Sequence, residues 1–274
     1  MSANVTEIEM LLAQVRGVAF DMDGVLYRGE QPLPGAAELI KQLSRCGLDF
    51  VMVTNNSTKT PEQYAAKLAR MGIAVPPGRI VTSGIATREW MRLRYPVGTR
   101  VYVLGMPALE EAILGDGRFV AAGRDAEVVV SGADFTLTYE KLKIATLAIR
   151  KGADWIATNA DRTYPSEEGL IPGSGAIVAA LAAATDRTPL VIGKPEPGMV
   201  LRAADILGLP PSEILVIGDR LDTDIVAGKR AGARTALVLT GVSSRTDLAQ
   251  TEIMPDLVLD NLGVLWRIVK ERCP

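Results

Sequence analysis

Short apolar runs and amphipathic stretches alternate along almost the whole chain. The runs include Val18-Ala19-Phe20, Phe50-Val51-Met52-Val53, Ile80-Val81, Val101-Tyr102-Val103-Leu104, Val128-Val129-Val130, Trp155-Ile156-Ala157, Leu190-Val191-Ile192, Ile214-Leu215-Val216-Ile217, Ala236-Leu237-Val238-Leu239 and Leu257-Val258-Leu259. They are too short for buried helices, and most are apolar throughout, as strands covered on both faces are. Between them apolar residues recur at helical spacing, as at Ala36, Leu39, Ile40 and Leu43. That spacing predicts helices over about 4–15, 35–45, 86–94, 139–151, 174–185, 197–207, 224–231 and up to about 270, with a further one opening at Thr60-Pro61. Gly47 is placed to end the second. Strands alternating with helices predict an α/β fold built on parallel sheets. No repeat, heptad or low-complexity segment interrupts the pattern.

In such sheets ligands bind beyond the carboxyl ends of the strands, so the residues that follow each run matter most. A strand over 16–20 ends in Asp21-Met22-Asp23-Gly24. Two carboxylates one residue apart repel unless a cation or proton intervenes, and Gly24 permits the tight turn that brings them to one centre. Such a pair suits a hard cation, Mg2+ above all, and a carboxylate is also a competent nucleophile toward phosphorus. A solvated turn is the plain alternative. Thr54-Asn55-Asn56 follows the second run, with a hydroxyl and backbone N–H groups that suit a phosphate, or simply form a polar turn. Gly193-Lys194-Pro195 places a point positive charge after a later run. Gly218-Asp219-Arg220-Leu221-Asp222-Thr223-Asp224 is dense enough in carboxylates for a divalent site, with Asp222 the residue best placed to serve only as a helix N-cap. Parallel strands would bring all four segments to one edge. Pro172-Gly173-Ser174-Gly175 lacks the third glycine and the preceding strand of a dinucleotide site, and reads as a helix start lining a substrate pocket.

Composition narrows the chemistry further. The chain has no histidine, which removes histidine bases, Ser-His-Asp triads and histidine-ligated zinc. Acid–base work near neutral pH then falls to carboxylates, lysine, tyrosine or metal-bound water. With 30 basic and 32 acidic residues the formal net charge is −2, and no basic field points to nucleic acid or a membrane. Cys46 and Cys273 lack metal-ligand spacing and read as free thiols in a reducing compartment. Glu7 and Glu9 precede the first apolar run, unlike a basic leader, and no apolar stretch is long enough to span a bilayer. A cytoplasmic protein is expected, as a monomer or homodimer.

The ordered set Asp21-Met22-Asp23-Gly24-Val25-Leu26, Thr54-Asn55-Asn56-Ser57, Lys194 and Gly218-Asp219 through Asp224 resembles the four motifs of the haloacid dehalogenase superfamily. Its form is similar to the class IIA branch of NagD-like nucleotidases, para-nitrophenylphosphatases and phosphoglycolate phosphatases. The resemblance covers nearly the whole chain. It implies a doubly wound, Rossmann-like core over 1–82 and 188–274, with an inserted α/β cap over 83–187. It also implies Mg2+-dependent hydrolysis of a small phosphorylated metabolite through a phosphoaspartate. Asp21 would be the nucleophile and Asp23 the general acid and base. The metal would be held by Asp21, the Asp23 carbonyl, Asp219 and Asp224, the last directly or through water. Phosphate would be bound at Thr54, Asn55, Asn56 and Lys194. Cap residues Thr158, Asn159, Asp161 and Arg162 are candidates for contact with the leaving group. Two alternatives use the same nucleophile: a phosphotransferase or phosphomutase, and a phosphoacceptor of the response-regulator type, whose smaller chain carries no such insert.

Overall fold

The computed structural model describes residues 5–166 and 168–272; Cys273 lies outside them. The chain forms two compact units. Of the described residues, the first comprises those within 1–54, 61–81 and 194–274, and the second those within 55–60 and 82–193.

The first unit is built on a six-stranded sheet in the order Leu257–Leu259, Arg234–Val238, Ile214–Gly218, Gly17–Phe20, Asp49–Thr54, Ile80–Thr82. The strands from Leu257–Leu259 across to Asp49–Thr54 pair in parallel. Phe20 lies opposite both Ile217 and Met52, so the segments beginning at Asp21, Asp219 and Thr54 emerge at one edge. Side chains alternate across a sheet. Val18, Phe20, Phe50, Met52, Leu215 and Ile217 pack on one face with Leu39 and Leu43 of helix Ala36–Arg45 and Leu265 and Ile268 of helix Leu262–Arg272. The alternating Ala19, Val51, Val53 and Val216 are buried as well, and helix Gly198–Leu207 packs against strands Asp49–Thr54 and Gly17–Phe20. Burial on both faces explains why these strands read as continuous apolar runs.

The second unit has a five-stranded parallel sheet, ordered Leu190–Val191, Asp154–Ala157, Val128–Ser131, Arg100–Leu104, Val120–Ala121. Its own core joins Leu104, Val129, Trp155, Ile177 and Leu181. Helix Ser174–Thr185 begins where Pro172-Gly173 predicts.

Three features depart from the sequence reading. Leu190–Val191 pairs with Asp154–Ala157 in the second sheet, so the first unit resumes at Lys194 and not at 188, and Lys194 does not follow a strand of the first sheet. The sequence reading assigns no element between 162 and 171, where an antiparallel hairpin, Thr163–Ser166 with Gly169–Pro172, forms; Pro165, Gly169 and Pro172 are residue types that ordinarily weaken a strand. A two-stranded hairpin is all edge and tolerates them. Finally, no α-helix opens at Asp224. A wide turn, Leu221–Ile225, precedes helix Val226–Ala231, and Asp222 is an exposed residue paired with Arg220 at 3.1 Å, not an N-cap.

Candidate active site

The carboxyl edge of the first sheet gathers three acids and one base. Asp21 directly follows strand Gly17–Phe20, and its N–H donates to the Ile217 carbonyl at 2.8 Å, which holds it to the neighbouring strand. Asp219 directly follows strand Ile214–Gly218. The wide turn brings Asp224 back beneath it, and Asp224 Oδ2 accepts the backbone N–H groups of Asp219 and Arg220 at 3.2 and 3.1 Å. Each of the three carboxylates offers an oxygen within 4.8 Å of the others. The Asp23 carboxylate lies outside this trio.

Lys194 enters the same cluster. Its Nζ donates to Asp21 Oδ1 at 2.6 Å, to Asp224 Oδ1 at 2.5 Å and to the Val53 carbonyl at 3.2 Å. Its side chain is 4% exposed, against 12% for Asp21 and 2% for Asp224, so these charges interact with little screening by water. Burial pulls the Lys194 ammonium down, but Asp21 and Asp224 outweigh it and hold the group charged, above the usual lysine range. Burial drives the Asp21 carboxyl well above the usual carboxylate range. Lys194 opposes the shift, and the negative charges of Asp224 and Asp219 add to it. Asp219 is pushed up to about 7, by burial first and Asp224 second, against the N–H of Val242. One ammonium thus faces three carboxylates, and two of those resist ionising. A divalent cation fits this donor set: the ligands are hard oxygens, they converge, and they lack positive charge.

Glycines make room for the cluster. Gly24 sits at φ +78°, and a Cβ there would fall 2.6 Å from Asp219 Oδ2. A Cβ on Gly218 would fall 2.1 Å from that of Asp224. A further segment, Thr240-Gly241-Val242, escaped the sequence reading. Val242 N–H donates to Asp219 Oδ2 at 2.7 Å, and Thr240 Oγ1 donates to the Gly24 carbonyl at 2.6 Å. A Cβ on Gly241 would overlap that same Asp219 oxygen. Its signal was present: a small polar turn with a glycine, closing a strand of the same sheet.

The second expected motif divides. Thr54 ends strand Asp49–Thr54 and is buried in the first unit. Asn55 and Asn56 make their side-chain bonds in the second, to Asp161 at 3.1–3.2 Å and to the Tyr164 hydroxyl at 3.1 Å. Thr158 and Asn159 are buried there too, while Arg162 is exposed.

Residues 18–117 match the haloacid dehalogenase-like hydrolase family, and residues 191–265 match a second model of HAD-like hydrolases. An acid sugar phosphatase of Staphylococcus aureus is 41% identical over 252 residues, 92% of this chain and 97% of that protein. The structure of a 4-nitrophenylphosphatase from Thermotoga maritima superposes with a TM-score of 0.89 at 40% identity, covering 94% of this chain and 99% of that one. A glycerol phosphate phosphatase from Mycobacterium tuberculosis, solved with calcium, gives a TM-score of 0.86 at 34% identity, covering 93% of this chain and 76% of that one. The fold and both matching models define a hydrolase of the haloacid dehalogenase type. The chain belongs to the haloacid dehalogenase-like hydrolases, and among them it is similar to the class IIA phosphatases.

Proposed function

We propose that this chain is a Mg2+-dependent phosphatase of small phosphate monoesters, acting through a phosphoaspartate on Asp21. The observation that carries the reading is the buried Asp21–Lys194–Asp224–Asp219 cluster at the carboxyl edge of the parallel sheet. Phosphoryl transfer needs alignment and charge neutralisation more than covalent ingenuity, and the cluster offers the ammonium of Lys194 together with ligands for a neutralising cation. When bound, the cation neutralises charge on the transferring group; Asp21, Asp219 and Asp224, with the Asp23 carbonyl, would hold it.

In the first step an Asp21 oxygen attacks phosphorus, the phosphorus–ester oxygen bond breaks, and Asp23 gives its proton to the departing alcohol. In the second, Asp23 takes a proton from water, whose oxygen attacks phosphorus and releases inorganic phosphate, restoring Asp21. Thr54, the Asn55 backbone N–H and Lys194 bind the non-bridging oxygens, with Asn56 at the margin of the loop. Every role is filled without histidine, as the composition demands.

The names of the relatives point to sugar phosphates, glycerol phosphate and aryl phosphates as first substrates to try, beside nucleoside monophosphates and phosphoglycolate. The proposed enzyme is cytoplasmic and acts on small soluble metabolites; among the described residues no helix is long and apolar enough to cross a membrane. Phosphate release from this panel with Mg2+ tests the activity. Asp21→Asn is nearly isosteric but cannot form the acyl phosphate. It should keep the fold, judged by circular dichroism, and reduce turnover to background. Turnover near wild type would place the nucleophile elsewhere.

A further inference from the structure

Thr158, Asn159 and Asp161 are, with Arg162, the residues the family resemblance offers as candidates for contact with the leaving group. The structure commits their polar atoms to the chain itself. Asp161 accepts Asn55 Nδ2 with both carboxylate oxygens, at 3.2 and 3.1 Å. The Asn55 carbonyl accepts two donors, Ser83 Oγ at 2.5 Å and Asn159 Nδ2 at 2.7 Å. Asn159 Oδ1 in turn accepts the Asp161 N–H at 3.1 Å. Thr158 Oγ1 lies 3.4 Å from Ser57 Oγ, and the Thr158 carbonyl accepts the Gly193 N–H at 2.8 Å. Thr158, Asn159, Ser83 and Asn55 are all at least nine-tenths buried.

These bonds converge on the two points where the chain passes between units: Asn55, the residue after Thr54, and Gly193, the residue before Lys194. The two points touch. A Cβ on Gly193 would stand 2.7 Å from Asn55 Oδ1 and 2.5 Å from the Thr158 carbonyl. With its carbonyl held twice and its side chain held by a carboxylate, Asn55 is anchored to residues of the second unit on both its main chain and its side chain.

We infer that Asp161, Asn159 and Ser83 are positioning residues that fix the phosphate-binding loop, so that affinity for the phosphoryl group itself depends on residues of the inserted unit. The inference rests on the phosphatase reading for the role of the loop. It moves part of phosphate recognition out of the sheet edge. A loss in the clamp then falls on every substrate alike, whatever its leaving group.

Two measurements on the full-length protein test it. Hydrogen exchange at the 54–58 amides of the ligand-free protein requires no turnover. Asp161→Ala should accelerate exchange there and leave the core strands protected, while Asp161→Asn, which keeps one acceptor for Asn55 Nδ2, restores most of the protection. Calorimetry with orthovanadate should show binding weakened about tenfold in Asp161→Ala, the scale of one lost hydrogen bond to a charged group. KM should rise by a similar factor for aryl, sugar and glycerol phosphates. Unchanged exchange with unchanged vanadate affinity would overturn the inference. A KM effect confined to one leaving group would also overturn it and make Asp161 a specificity residue. If the wild-type chain neither binds vanadate nor releases phosphate, the phosphatase reading fails, and the exchange result alone decides whether the clamp fixes the loop.

Discussion

Asp219 has almost no room to be anything else. Gly24 and Gly241 both leave the space its carboxylate occupies, and Val242 N–H fixes one of its oxygens. Asp21 and Asp224 are equally constrained through Lys194. Asp23 is half-buried within the turn that follows Asp21, and its carboxylate is not one of the acidic trio. Under the proposed mechanism Asp23 is the proton donor, and no histidine competes for that role. Positioned acid catalysis contributes about 10²–10⁴-fold, and its value depends on the leaving group. An alkoxide needs the proton, whereas a nitrophenolate departs well without it. Asp23→Asn should therefore slow phosphoaspartate formation strongly for glycerol phosphate and much less for para-nitrophenyl phosphate. Rapid-quench measurement of the first step separates it from the water step, which suffers with both. Equal slowing would mean that Asp23 acts through the turn and not as the proton donor.

Among the elements, strands were the most legible. Each of the longer apolar runs became a strand, because burial on both faces writes itself into the sequence without interruption. Asp21, Thr54 and Asp219 could be placed at one edge because each follows such a run. What the runs do not carry is sheet membership. Leu190-Val191-Ile192 looks no different from Ile214-Leu215-Val216-Ile217, yet it pairs with the second sheet and only then delivers Lys194 to the first unit. The wide turn at Leu221–Ile225 was hidden for another reason: it is set by tertiary bonds from Asp224 to the Asp219 and Arg220 N–H groups, which local propensity cannot foresee. The hairpin at 163–172 was masked by its prolines. The strand assignment has a practical consequence. Excising 83–187, the insert read from sequence, leaves Leu190-Val191-Ile192 without its partner strand, an exposed apolar edge prone to aggregation. Excising 82–193 removes the strand with its sheet. Light scattering of the two shortened proteins should show the first associating and the second less so; equal behaviour would mean that the 190–192 segment is not the controlling edge.

At the scale of the whole molecule the acidic edge stores a pH dependence whose sign can be worked out. Stability changes with pH in proportion to the protons bound by the unfolded chain minus those bound by the native one. Asp219, raised to about 7, and Asp21, raised well above the usual range, retain protons in the folded metal-free protein that the unfolded chain has already lost. Between about pH 4 and 7 the native state therefore binds more protons, and stability falls as pH rises. Below that window both states are protonated, and above it the cost of charging Asp219 is fully present. Carboxylates with lowered values act elsewhere. Asp116, held down by the Arg118 N–H and the Arg92 side chain, loses its contribution only as pH falls below the ordinary aspartate range. Lys194, raised, contributes stability that persists through neutrality and is lost only in strong base. The window from 4 to 7 thus belongs chiefly to the acidic edge. A divalent cation competes with the protons there, so its stabilising effect should grow with pH. Melting curves of the chelated protein should show Tm declining from pH 5 to 7.5, and the rise in Tm on adding Mg2+ should be larger at 7.5 than at 5. Asp219→Asn should flatten the first trend and weaken the second. A chelated wild-type protein that gains stability across this range, with a metal response independent of pH, would contradict the assignment of these carboxylates as the cation's ligands.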